Sequence, residues 1–466
     1  MGAVDAIWLA MDTPENLMVI EGIMTLDGPV DRERLTDVLQ HRLVERYPVF
    51  RQVVVDASSP MGMPHWEDDP DFSIDHHVHH AELAEPGDEA ALQAFVEDRM
   101  QEPIDRSRPL WHFYLIDGYQ GGSVVVSRFH HALADGIALA EVLLSLTDAE
   151  PDDDLRAEDP HPVRLADEPE PPPTSLLEVA GRFARPVAAP VSAGLRGALR
   201  ALGELPAVLH PSYALEALTT AWQTGRIADK LLLSQVPDSP LTTPPGIAKR
   251  AVWSEPRPLV DIKLVGHVAG ATVNDVLVGA VSAAISHYLA DRGHDPGDLS
   301  TMVPVNVRGG QPLPRELGNK FALVMLPLPT SRLAPLQRLA ESKRRMDSIK
   351  HSPEALLTFG LINAIGRTNT TIAKQFVDFF AAKAIGVTTN VAGPRTARHL
   401  AGTKVAGILG WVPGSGPQTL GVCIVSYDGV VRVGFKADVA AVSDPEKLVH
   451  AFDREMDTLV RLAAAV

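Results

Sequence analysis

His130-His131-Ala132-Leu133-Ala134-Asp135-Gly136 is the stretch on which both the fold and the chemistry turn. It follows a β-rich run, Ser123 to Phe129. It precedes a segment whose apolar positions Leu139, Val142, Leu143 and Leu146 share one helical face. The stretch is therefore a tight strand-to-helix connection, a place where side chains face a cleft. A neutral imidazole with an unperturbed pKa near about 6.5 is the natural acceptor of a hydroxyl proton at neutral pH, and His131 is the candidate. Asp135 is short and acidic, suited to hold the loop through an ion pair. Gly136 is expected to supply a backbone angle that other residues resist. A His-His pair on a loop also admits a purely structural reading and a metal reading. With no cysteine nearby and no H-E-x-x-H pattern, no metal is expected.

Working outward, Trp111 to Asp117 is a second β-rich run. Gly118, Gly121 and Gly122 separate it from Ser123 to Phe129, so the two read as a hairpin or neighbouring strands. Upstream, Asp31 is placed to cap a helix with Leu35, Val38, Leu39 and Leu43 on one face. Downstream, Thr272 and Asp275 form a capping-box pattern before a helix with Val276, Leu277, Ala280, Val281, Ala284, Ile285 and Tyr288 inward. Val422 to Tyr427, Asp428-Gly429 and Val430 to Phe435 read as a β-hairpin on a type I′ turn. A last helix is expected from Ser443, with Glu446 completing a second capping box.

The chain has 466 residues, with 45% hydrophobic and 22% charged residues, enough for large buried cores in a folded protein. The segment from Glu150 to Thr174 is rich in Pro, Asp and Glu and reads as a solvated linker. From Leu176 to about Val236 the pattern is helical and broken by prolines. Arg182, Arg185, Arg196 and Arg200 make its early part locally basic, which suits a solvated crossing helix or an interfacial one. The organisation expected is an N-terminal half at 1–149, a linker with crossover helices at 150–250, and a C-terminal half at 251–466. A formal net charge of -17 argues against nucleic-acid partners. The single cysteine, Cys423, excludes an intrachain disulfide framework. Met1 to Ala10 carry Asp5 and no basic run, unlike a signal peptide. A cytoplasmic protein is expected, with room for peripheral contact with the inner membrane or lipid droplets.

Two patterns are decoys. Asp75-His76-His77-Val78-His79-His80 looks like a metal tract, but its alternation suits a strand with histidines on both faces. Gly414-Ser415-Gly416 is not a G-x-S-x-G nucleophile elbow, so a serine hydrolase is disfavoured.

Further motifs extend the picture across nearly the whole chain. They are Asp5-Ala6-Ile7-Trp8-Leu9, Arg108-Pro109-Leu110-Trp111, Asn274-Asp275, Leu317-Gly318-Asn319, and Asn390-Val391-Ala392-Gly393-Pro394. With the HHxxxDG stretch, and in this order, they resemble the bacterial wax ester synthase/diacylglycerol acyltransferase family. Ala392 stands where that family's NVPGP motif has its first proline. More distantly, the chain is similar to condensation domains and chloramphenicol acetyltransferase-like enzymes. The resemblance implies an α/β fold of two chloramphenicol acetyltransferase-like domains, each a mixed β-sheet with flanking helices. A long crossover linker would join them, with an active-site tunnel between. It implies His131 as general base, with no covalent acyl-enzyme, and His130 as structural. Asp135 would pair with Arg308. Asn274 would donate to the oxyanion, or merely cap its helix, and Asn390 would line the tunnel or satisfy a turn. Acyl-CoA would be a co-substrate and no cofactor would be needed. The acceptor would be diacylglycerol, giving triacylglycerol, or a long-chain alcohol, giving a wax ester. Two alternatives are a carrier-protein-dependent condensation-type enzyme and a catalytically silent lipid-binding protein.

Overall fold

The β-rich runs around the central turn form the middle of a six-stranded sheet in the computed structural model. It describes all residues except 58–61, 152–235, 296, 308–312, 351, 353, 356, 357, 361, 363–369 and 466. The proline-rich linker and the basic helical segment therefore lie outside the described residues. In chain order the first half contains α1 (Ala3–Met11), β1 (Val19–Leu26), α2 (Arg32–Leu39), β2 (Gln52–Val55), β3 (His65–Asp68), β4 (Val78–Glu82), α3 (Glu89–Met100), β5 (Trp111–Tyr119), β6 (Gly122–His130) and α4 (Gly136–Ser145). The second half contains β7 (Lys249–Trp253), β8 (Arg257–Pro258), α5 (Leu259–Ala269), α6 (Val273–Ala290), β9 (Leu299–Asn306), β10 (Phe321–Leu328), α7 (Pro335–Lys350) and α8 (Thr370–Ala381). It closes with β11 (Gly386–Ala392), β12 (His399–Leu400), β13 (Thr403–Trp411), β14 (Leu420–Tyr427), β15 (Val430–Asp438) and α9 (Glu446–Ala464).

The first sheet runs β12-β13-β1-β6-β5-β4 and the second β10-β9-β11-β14-β15-β7, with β8 paired to β15. Both are mixed: β4 and β5 are parallel, β11 is parallel to both β9 and β14, and the other pairs are antiparallel. This is the expected pair of sheets with flanking helices. One strand changes sides. β13 comes late in the chain, yet it pairs antiparallel with β1 of the first sheet, Glu21 opposite Trp411. The halves are thus interlocked by a strand as well as packed.

Local signals act where they were read. The Asp31 carboxylate accepts from Arg34 N–H at 2.8 Å at the start of α2. Thr272 and Asp275 form their reciprocal pair at the start of α6. Asp428 and Gly429 have φ of 45° and 78°, the left-handed pair that a type I′ turn needs. The last helix is a correction. It begins at Glu446, with no side-chain cap from Ser443, because its groups are drawn elsewhere. The Glu446 carboxylate binds Arg250, and Asp444 binds Tyr288, Arg292 and Lys447.

Among the described residues, α6 is the one helix long and apolar enough to cross a membrane, and 78% of it is buried inside the protein. It is the centre of the second core, packed with α9 and α7. In the first core Trp111 is fully buried, its indole N–H donating to Phe50 O at 2.7 Å. Phe50 and Phe113 meet its ring edge-on at 6.0 and 5.8 Å, contacts worth about 1 kcal/mol each beyond area burial. Between the sheets, Glu21 of β1 lies 3.0 Å from Lys436 of β15 and 3.9 Å from Arg128 of β6, all three buried.

Candidate active site

β6 ends at His130, and the chain turns at once because Asp135 caps α4: its Oδ1 accepts from Ala138 N–H at 3.0 Å. The turn leaves the two histidines in different surroundings. His130 is buried; its Nδ1 accepts from Ala132 N–H at 3.1 Å, and its Nε2 lies 3.6 Å from Asp12 Oδ2. Burial pushes the Asp12 carboxyl up. The His130 imidazole, Met18 N–H and Arg106 more than offset that, so it sits below its ordinary value. These contacts place His130 inside the loop, with Nδ1 bonded to it.

His131 is half-buried at the junction of the two halves. Its N–H donates to Met18 O at 2.7 Å. Trp8 of α1 stacks on its ring, centroids 3.9 Å apart at 21°, and Phe321, the first residue of β10, lies 6.1 Å away. Nδ1 is 3.0 Å from Asn319 Oδ1. Nε2 makes no hydrogen bond among the described residues, so one ring nitrogen is held and the other has no such contact. Burial pushes the imidazole down to about 4, outweighing the hydrogen bonds from its own backbone and Asn319. The ring is neutral at pH 7, the state a proton acceptor needs.

Asp135 also spans the junction, its Oδ2 accepting from Lys320 N–H at 2.9 Å. Arg308, its expected partner, lies outside the described residues. Gly136 is a correction: it does not occupy the left-handed region, and an added Cβ would meet only Ile20 Cδ1, at 3.8 Å. It is an ordinary first residue of α4. Asn274 and Asn390 are brought together: Asn390 Nδ2 donates to Asn274 Oδ1 at 3.1 Å, tying the start of α6 to β11. Neither makes a described hydrogen bond to His131. In the His76–His80 tract, His79 faces His112 at 3.0 Å and His80 faces Asp117 at 2.7 Å. His77 is buried, stacked on Trp111 at 4.4 Å.

Three residues around the imidazole were not named from sequence as site residues: Asp5, Trp8 and Asn319. The first two come from the opening motif and the third from Leu317-Gly318-Asn319, both read only as family pattern. Asp5 also has a local task, accepting from Gly2 N–H at the start of α1, which hides its second partner from the sequence.

The interlocked sheets with an HHxxxDG turn at their junction make a two-domain α/β fold that solved acyltransferases and condensation domains share. A solved wax ester synthase/diacylglycerol acyltransferase from Marinobacter aquaeolei VT8 superposes with a TM-score of 0.67 at 20% identity, covering 99% of this chain and 98% of that one. The starter condensation domain of rhizomide synthetase superposes at 0.56 and 16% identity, covering 99% and 93%. Residues 1–277 match the wax ester synthase/diacylglycerol acyltransferase catalytic domain, and residues 317–460 match the C-terminal domain of the same family. The chain belongs to that family. Among curated relatives, a protein of Mycobacterium tuberculosis described as a probable diacylglycerol O-acyltransferase, tgs1, is 28% identical over 96% of this chain and 91% of its own. A putatively assigned relative from the same organism, named as a diacylglycerol O-acyltransferase, is 26% identical over 100% of this chain and 98% of its own.

Proposed function

We propose that this acyltransferase moves a long-chain acyl group from acyl-CoA to diacylglycerol, giving triacylglycerol, and also accepts long-chain alcohols, giving wax esters. The observation that carries the reading is the setting of His131: at the junction of the halves, with one ring nitrogen held by Asn319 and Nε2 without a hydrogen bond among the described residues. The acceptor O–H gives its proton to Nε2, and the oxygen attacks the thioester carbonyl carbon. The C–S bond of the tetrahedral intermediate then breaks, and the imidazolium returns the proton to the departing thiolate. The products are the ester and free coenzyme A. No acyl-enzyme forms, and only acyl-CoA and the acceptor are consumed. Asp135 holds the turn, with Arg308 as the cation that the sequence pattern assigns to it. In this reading the enzyme works in the cytoplasm and meets its acceptor at a membrane or lipid-droplet surface.

The test is an assay of the purified protein with palmitoyl-CoA, offering diacylglycerol and hexadecanol in parallel. Labelled triacylglycerol, with wax ester beside it, is expected. Transfer only from an acyl carrier protein would favour a condensation-type enzyme, and lipid binding without turnover would favour a silent lipid-binding protein.

A further inference from the structure

We propose that Asp5 and Asn319 are positioning residues that fix the His131 ring as the Nδ1–H tautomer and leave Nε2 bare, which makes α1 part of the catalytic apparatus. The inference rests on the reading of His131 as general base. The donors and acceptors around one amide decide the tautomer. Asn319 Nδ2 lies 2.8 Å from Asp5 Oδ1 and 2.9 Å from the carbonyl oxygen of His131. Both partners only accept, so the NH₂ group must face them. Turning the amide over would place its oxygen against two oxygens and take one donor from a buried carboxylate. The amide oxygen therefore faces His131 Nδ1 at 3.0 Å, and it can only accept. Nδ1 must carry the hydrogen. In a neutral imidazole the other nitrogen, Nε2, then holds the lone pair that takes the substrate proton.

The support for Asn319 is itself fixed at several points. Its backbone N–H donates to the same Asp5 Oδ1 at 2.9 Å, while Asp5 Oδ2 accepts from Gly2 N–H at 2.7 Å. Asp5 is buried, 4% exposed. The next residue, Lys320, donates its N–H to Asp135 Oδ2. The dipeptide Asn319-Lys320 thus grips the 130–136 turn at both ends, through the imidazole and through the helix cap. Trp8, one helical turn beyond Asp5, covers the face of the ring. Oxygen-to-Nδ1 contact also opposes the loss of basicity that burial and the neighbouring His130 impose.

The experiment is ¹⁵N NMR of protein labelled in its histidine rings at pH 7, with the His131 signals assigned by their loss in His131→Gln. A protonated Nδ1 and an unprotonated Nε2 are expected in the intact enzyme. An Nε2–H tautomer, or a ring averaging between the two, overturns the proposal and leaves the general-base reading to be judged by His131→Ala. Asn319→Ala and Asp5→Asn should loosen the tautomer and lower kcat by about ten- to a hundredfold with little change in KM for acyl-CoA. That is less than the loss of about ten-thousandfold known when a triad histidine adopts the wrong tautomer, because the ring's own carbonyl can hold Nδ1–H in part. Unchanged ring signals and unchanged kcat in both variants would also overturn it.

Discussion

Lowering the assay pH from about 7.5 to about 5.5 should leave the proton-accepting step almost intact. The His131 imidazole is pushed down to about 4 by burial. By simple titration a group with that pKa remains about 97% neutral at pH 5.5, whereas one at the ordinary value of about 6.5 would be only about 9% neutral. The two cases differ about tenfold in competent base. The assay is kcat/KM for the acceptor alcohol at saturating acyl-CoA between about pH 5 and 8. Folding must be followed in parallel, because His77 is likewise held near 4 by burial, offset only partly by the Trp111 carbonyl. Its folded pKa lies below the unfolded value, so its contribution to stability is complete above about pH 6.5 and is lost as the pH falls toward 4. That loss is on the order of 3 kcal/mol for a group 1% exposed. A kcat/KM profile with its midpoint near 6.5, in protein that is still folded, would refute the argument that burial sets this base.

Three other substitutions probe the frame. Glu21→Ala leaves Arg128 and Lys436 buried without their carboxylate and should cost about 3–5 kcal/mol in denaturant unfolding. Asp135→Ala removes the cap of α4, worth about 1 kcal/mol, and strands the Lys320 amide, worth about 1–3 kcal/mol; activity should fall with the melting temperature. Gly429→Ala places a side chain at φ 78° with nothing within 4 Å to clash, so about 1 kcal/mol should be lost through the backbone alone, with catalysis unchanged.

The sequence was most legible where one residue acts on its neighbours. Asp31, the Thr272–Asp275 pair and Asp428-Gly429 do locally what their chemistry dictates, and the HHxxxDG turn sits where its flanking patterns put it. Legibility failed where a distant partner competes. Ser443 and Glu446 have the right spacing for a capping box, but Arg250, 196 residues away, takes the Glu446 carboxylate. The passage of β13 into the first sheet has no local signature, since a strand's alternation does not say which sheet it joins. The same holds at the site. Asp5 and Asn319 are 314 positions apart, and His131 and Asn319 are 188 apart. Only the folded chain brings the three into one hydrogen-bonded row.

The central claim is that one imidazole accepts the proton of the acceptor alcohol. Its most direct test is turnover of His131→Ala with palmitoyl-CoA and diacylglycerol, alongside its unfolding curve. A drop of at least about a hundredfold in a protein that unfolds like the parent is the expected result; near-normal turnover would contradict it.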